Sequence, residues 1–145
     1  MCAVRTFGTN KKGRRLADYR FSAKVIKRSN GQSAVAAAAY RAASNLRDER
    51  TGQTCDYSRK EGVTHCEVLA PEGTPEWMHD RAQLWNAVEA VERRKDAQLA
   101  REIQLSLPHE LTDEQRRELV LGFAQEQFVN HGMIADITIH APSAE

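Results

Sequence analysis

The sequence predicts an α+β fold in which an antiparallel-type sheet carries its helices on one face. Three observations lead there. Segments beginning near Tyr19, Val63, Gln98 and Met133 read as strands, with apolar and polar side chains alternating at a period of two. Helical signals separate them: an alanine-rich run after Gln32, and apolar residues at helical spacing after Thr74 and after Thr112. The strands alternate instead of running continuously apolar, which is the pattern of a sheet with one buried and one wet face.

Composition agrees with one globular domain. The chain has 145 residues, 41% hydrophobic and 28% charged, with a formal charge of +1. That length allows a single core without staples. The near-neutral balance argues against a histone-like polycation, though a local basic patch still permits nucleic-acid binding. The longest apolar run, Ala34–Ala39, falls far short of a membrane span. No secretory signal is visible, and Cys2, Cys55 and Cys66 show neither disulfide nor zinc spacing. A cytoplasmic protein without membrane insertion is expected.

Residues 1–16 are basic and aperiodic and read as a disordered tail, with the domain proper over 17–145. Tyr19, Phe21, Ala23 and Val25 form the apolar side of the first strand, which Asn30-Gly31 ends. Gln32 to about Asn45 is a helix capped by Ser29, Asn30 or Ser33. Leu46–Lys60 is a loop or loose hairpin, and Val63–Ala70 the second strand. Thr74 caps the next helix with Pro75 at its first position, running through Trp77, Leu84, Trp85, Val88 and Val91 to about Lys95. Gln98–Leu107 is the third strand. Thr112 and Gln115 form a capping box for a helix that stops near Gly132. Met133–His140 is the fourth strand. Glu102, Gln104, Asp136 and His140 fall on polar strand faces and converge if their strands are neighbours.

Several residues carry candidate chemistry. Tyr40 is the aromatic residue of the alanine helix; it reads as a core anchor or, given a nearby cation, metal or base, as a nucleophile. His140 ends a strand beside Asp136 and Thr138, and His65 alternates with Glu67, but one imidazole does not make a metal site. His79, His109 and His131 read as surface residues, and Arg93-Arg94-Lys95 as a solvated helix end. Lys24, Lys27 and Arg28, followed by Ser29-Asn30-Gly31 ahead of a helix N-terminus, suggest a phosphate cradle.

The stretch 19–42, YRFSAKVIKRSNGQSAVAAAAYRA, resembles the opening of MobA/MobL-type plasmid mobilisation relaxases. Asp48-Glu49-Arg50-Thr51-Gly52, Asp56-Tyr57, His65-Cys66-Glu67-Val68-Leu69-Ala70-Pro71, Leu84-Trp85-Asn86-Ala87-Val88-Glu89, the run 95–102 and Gly132-Met133-Ile134-Ala135-Asp136 continue the resemblance in unbroken order. It covers about residues 18 to 142. It implies an HUH endonuclease with a ferredoxin-like antiparallel sheet. Such an enzyme nicks one strand at a plasmid transfer origin by tyrosine attack, aided by Mg²⁺ or Mn²⁺ on three histidines.

Carried onto this chain, the resemblance makes Tyr40 the nucleophile, His140 the first metal histidine and Glu102 an acidic residue orienting a metal ligand. Gln104 stands where some relatives are acidic. Lys24, Lys27, Arg28, Ser29 and Arg41 are the expected DNA contacts, while His65, Glu67 and Asp136 have no assigned role. Partners would be single-stranded transfer-origin DNA, accessory mobilisation proteins and a type IV coupling protein. The family's Pro-His-x-His element follows its first histidine; here Ala141-Pro142-Ser143-Ala144-Glu145 follows His140. The expectation is therefore a fragment active only in a complete chain, with an incomplete sheet. The alternatives are a catalytically dead remnant binding single-stranded DNA and a regulatory interaction module.

Overall fold

The computed structural model describes residues 2–8 and 21–141. In chain order the elements are β1 (Cys2–Gly8), β2 (Phe21–Lys27), α1 (Ala34–Ala42), β3 (Asn45–Arg47), β4 (Thr54–Asp56), β5 (Val63–Leu69), α2 (Arg81–Val91), β6 (Gln98–Leu107), α3 (Asp113–Gln127) and β7 (Ala135–His140). Five strands form one sheet in the order β2-β6-β1-β7-β5, and β3-β4 is a small hairpin beside α1. The α+β class is as the sequence predicts, and so are the second, third and fourth expected strands. The residues Tyr19 and Arg20, expected in the first strand, lie outside the described residues.

The layer differs from expectation in three respects. Cys2–Gly8, assigned to a disordered tail, is the central strand; residues 9–16 lie outside the described residues. It fills the space between β6 and β7, where backbone groups of both neighbours need partners. The sheet is consequently mixed: β1 runs parallel to β6 and β7, while β2-β6 and β5-β7 are antiparallel. Helices also cover both faces, not one. Val120 and Ala124 of α3 pack with Val4, Ile103, Ala135, Ile137 and Ile139. On the opposite face Ala34, Val35 and Ala38 of α1 and Leu84, Trp85 and Val88 of α2 pack with Ile26, Leu99 and Ala100. Every residue of β7 is buried in consequence, including Asp136, Thr138 and His140.

The facing of β2 is also reversed. Phe21 and Val25, expected in the core, are 64% and 37% exposed, while Ile26 is buried. β2 is an edge strand, and α3 packs on the other half of the sheet, against β5 and β7.

The helix caps follow local chemistry. Ser33 caps α1, accepting from the Ala36 N–H at 3.2 Å. Thr112 and Gln115 form the predicted capping box, with bonds of 3.2 and 2.9 Å. Pro75 instead precedes a short 3-10 turn over Glu76–His79, and α2 starts one step later because Asp80 accepts from the Gln83 N–H at 2.9 Å.

Buried carboxylates fasten α1 and α2 in place. Glu89 on α2 accepts from the Ala34 N–H at 2.7 Å, from Arg28 at 2.6 Å and from Arg50 at 3.1 Å. Asp48 accepts from the Ser33 hydroxyl at 2.7 Å and from the Arg50 and Thr51 N–H groups. Asp136 accepts from the Arg81 guanidinium at 2.7–2.9 Å and from Trp85 Nε1 at 2.8 Å. Asn86 accepts from the Glu49 N–H and donates to the Arg47 carbonyl, tying the β3-β4 hairpin to α2.

Candidate functional site

The last turn of α1 presents Tyr40 to solvent, 42% exposed, above the sheet face that carries Arg5 and His140. The ring is surrounded. Tyr57 meets it edge-on, with centroids 5.3 Å apart. The Arg5 guanidinium carbon lies 5.2 Å from the ring centroid and Lys60 Nζ 3.7 Å from it, a pair of cation–π contacts. Lys60 Nζ also donates to the Tyr40 carbonyl at 2.9 Å.

A turn after β4 sets Lys60 there. The Asp56 carboxylate accepts from the Ser58 N–H at 2.9 Å and the Ser58 hydroxyl at 2.6 Å, and these bonds hold its pKa below the ordinary value. The Lys60 N–H then donates to the Tyr57 carbonyl at 2.9 Å, while the Tyr57 N–H donates to the Ser44 carbonyl at 3.1 Å. One turn thus places both Tyr57 and Lys60 against the Tyr40 ring.

His140 lies beneath, buried at the end of β7, with a hydrogen bond to the Arg41 backbone. Burial first, then the charges of Arg5 and Lys60, lower its pKa from 6.5 to about 4. It is a neutral imidazole at pH 7. Arg41 points inward, 1% exposed, 5.5 Å from the Trp85 ring centroid. Burial lowers its pKa, opposed by Asp136 and Glu102. Its guanidinium nitrogens find no hydrogen-bond partner among the described residues.

The sheet therefore gathers Tyr40, Arg41 and His140, with Glu102 on the same face and within electrostatic reach of Arg41 and Lys60. Glu102 does not meet His140. Its strand is separated from β7 by β1, about 10 Å across, and its register partner Ala3 pairs onward with Asp136, not His140. Gln104 Nε2 approaches Glu102 at 3.4 Å. The expected convergence fails because the central strand intervenes.

Other expected site residues lie elsewhere. His65 and Glu67 bond each other at 3.0 Å and stand opposite Ile139 and Ile137, on the sheet face away from Tyr40. Asp136 anchors α2. The phosphate cradle is already filled: the Glu89 carboxylate occupies the α1 N-terminus and Arg28, which also donates to the Glu89, Glu92 and Arg94 carbonyls. Arg41 is buried, so neither it nor Arg28 offers a phosphate contact. Lys24 remains exposed, opposite Glu102 in register, and Ser29 is exposed too. The Lys27 N–H donates to Gln32 Oε1. His79, His109 and His131 are exposed, as expected.

Arg5, Tyr57 and Lys60 were not singled out as a cluster from the sequence. Tyr57 had a signal, the Asp56-Tyr57 pair. Lys60 follows an Asp-x-Ser turn, and Arg5 sits in a segment without periodicity.

The described residues do not fit a divalent cation. No group of three or more His, Cys, Asp or Glu forms a ligand set among them. The one imidazole of the cluster is flanked by Arg5 and Lys60, whose charges repel a cation.

The MobA/MobL family profile matches residues 32–145, and the chain belongs to that family. It is 51% identical over 127 residues to the mobilization protein MobL of Acidithiobacillus ferridurans, covering 88% of this chain and 33% of that protein. It is 39% identical over 130 residues to the conjugal transfer protein TraA of Agrobacterium fabrum, covering 83% of this chain and 12% of that one. It also resembles a solved structure from work on the molecular basis of vancomycin resistance transfer in Staphylococcus aureus. There the TM-score is 0.82 at 40% identity, over 89% of this chain and 66% of the other. The chain thus spans a third or less of these two curated relatives.

Proposed function

We propose that this chain carries the nucleophile-bearing part of a relaxase, which nicks one strand of plasmid DNA at a transfer origin. The observation behind the reading is Tyr40: a half-exposed phenol on a helix end, ringed by cations, in a member of a mobilisation family. Tyr40 Oη attacks the scissile phosphorus as the P–O3′ bond breaks. The phenolic proton leaves to water, and the departing 3′ oxygen takes one up. The product is a phosphotyrosine joined to the DNA 5′ end and a free 3′ hydroxyl, which retains the phosphodiester energy for rejoining. No step is assigned to Mg²⁺ or Mn²⁺, because the described residues supply no ligand set.

The remaining parts of the reading follow from the same assignment. Single-stranded transfer-origin DNA is the substrate, accessory mobilisation proteins and a type IV coupling protein are the partners, and the cytoplasm is the location. No helix among the described residues is long and apolar enough to cross a membrane. Incubation with a single-stranded oligonucleotide spanning the nick site, read as an adduct stable in denaturing gels, tests the proposal. Tyr40→Phe should abolish the adduct and Tyr57→Phe should retain it. An adduct that persists in Tyr40→Phe sinks the assignment. The incomplete ligand set favours a second reading, a DNA-binding module without cleavage, which a wild-type adduct would refute.

A further inference from the structure

We propose that Tyr57 is a stacking platform for an unpaired nucleobase next to the phosphate that Tyr40 attacks. The proposal rests on the reading of Tyr40 as the nucleophile of a single-strand nicking protein. It starts from the shape of the contact between the two phenols. Their rings stand at 89° to each other with centroids 5.3 Å apart. Such a contact joins the edge of one ring to the face of the other, so at least one face of Tyr57 lies outside it. Tyr57 is 39% exposed, an apolar surface open to water at the rim of the Tyr40 site.

Local backbone chemistry fixes that surface. The Tyr57 N–H donates to the Ser44 carbonyl at 3.1 Å, and the Tyr57 carbonyl accepts from the Lys60 N–H at 2.9 Å. On either side of it in the chain, the Asp56 carboxylate holds the Ser58 N–H and hydroxyl. The short β3-β4 ladder pairs Asp56 with Asn45, just after the end of α1. The turn that carries Tyr57 is thus tied to the helix that carries Tyr40. A ring held this way loses little freedom when a ligand stacks on it.

A nucleobase suits the place better than another apolar group. A phenol that attacks a phosphate in single-stranded DNA has unstacked bases on both sides of that phosphate. Aromatic side chains stabilise such bases whatever their identity, because each base has a π face. Lys60 Nζ, 3.7 Å from the Tyr40 ring centroid, sets a positive charge beside the two rings, which favours a chain with one anionic phosphate per nucleotide. Stacking the neighbouring base on Tyr57 would hold the scissile phosphate near Tyr40 Oη, so the two phenols divide the work of reaction and alignment.

The test measures fluorescence anisotropy of a labelled single-stranded oligonucleotide spanning the nick site. The 145-residue chain carries Tyr40→Phe, so that binding is read without an adduct. Nucleotides around the nick are replaced one at a time by an abasic residue. One position adjoining the nick should weaken binding about tenfold, and exchanging its base for another should cost less than removing it. Tyr57→Ala should weaken binding of the intact oligonucleotide about tenfold, after which the same abasic replacement should cost less than about twofold more. Tyr57→Phe should keep both the affinity and the abasic penalty. Phe21→Ala removes another exposed aromatic, one that lies in line with Leu105, Thr6 and Ile139 on the sheet face away from Tyr40. It should change binding by less than about twofold.

An abasic penalty that is equal with and without the Tyr57 ring overturns the proposal, since the ring would then only support Tyr40. Undiminished binding by Tyr57→Ala overturns it too, as does a base exchange that costs as much as base removal. The two readings fail separately, because adduct formation is followed in the chain that keeps Tyr40. A base coupled to Tyr57 without any adduct sinks nicking alone. A Tyr40-dependent adduct with no base coupled to Tyr57 sinks the stacking platform alone.

Discussion

At the scale of single residues, the candidate site is held by strained and buried groups that make measurable demands. Ala43 ends α1 at φ 49°, the left-handed region, two residues after Arg41. An alanine there costs about 1–2 kcal/mol, part of which glycine returns in lost chain entropy. Ala43→Gly should raise stability by about 0.5–1 kcal/mol, measured by urea unfolding. His140 makes the opposite kind of demand. Its pKa is about 4 in the folded chain against 6.5 ordinarily, so the unfolded chain binds the proton more tightly. The associated stability is complete above pH 6.5 and is lost as pH falls toward 4, a loss of at most about 3 kcal/mol. Unfolding free energies at pH 7.5 and pH 5 should show this slope in the wild type and a shallower one in His140→Gln. Equal slopes would mean that His140 is not buried as a neutral ring.

At the scale of elements, the motifs that carried the family resemblance prove mostly architectural. Asp48 and Arg50 of the Asp48-Glu49-Arg50 run, and Asn86 and Glu89 of the Leu84–Glu89 run, are the partners that hold α1, α2 and the β3-β4 hairpin together. Glu89→Gln should cost about 3–5 kcal/mol, because two guanidinium groups and the Ala34 N–H lose a buried charged acceptor. Thermal unfolding checks it, and a shift of only a degree or two would remove Glu89 from that role. This also explains what could be read from the sequence. Local signals such as the Thr112–Gln115 capping box and the alternation of β6 are written within a few residues and were legible. The Tyr40 helix was legible too, but its surroundings were not. A carboxylate from α2 filling the α1 N-terminus, or a lysine folded back by an Asp56 turn, depends on contacts between distant segments. A basic run before a helix looks the same whether its helix end is open or occupied.

At the scale of the whole molecule, the strand absent from the sequence reading is the one on which the sheet depends. β2-β6 and β7-β5 are each antiparallel pairs, and β1 is the strand that joins them. Its sequence hides this role. A strand between two others is defined by what flanks it, and CAVRTFG is too short, and too isolated by the polar residues after it, to announce a core position. Yet Val4 is fully buried against Ile103 and Ile137, and Arg5 reaches the Tyr40 ring from the same strand. Removing residues 1–8 would expose the facing edges of β6 and β7 together, leaving two rows of unpaired backbone groups. The shortened chain should lose its cooperative urea transition and gain a tendency to aggregate, seen by light scattering. Val4→Asp in the intact chain should do the same in milder form, since it places a charge in the apolar cluster under α3. An unchanged transition in both variants would show that the two strand pairs hold together without β1, and Arg5 would then lose its fixed place beside Tyr40.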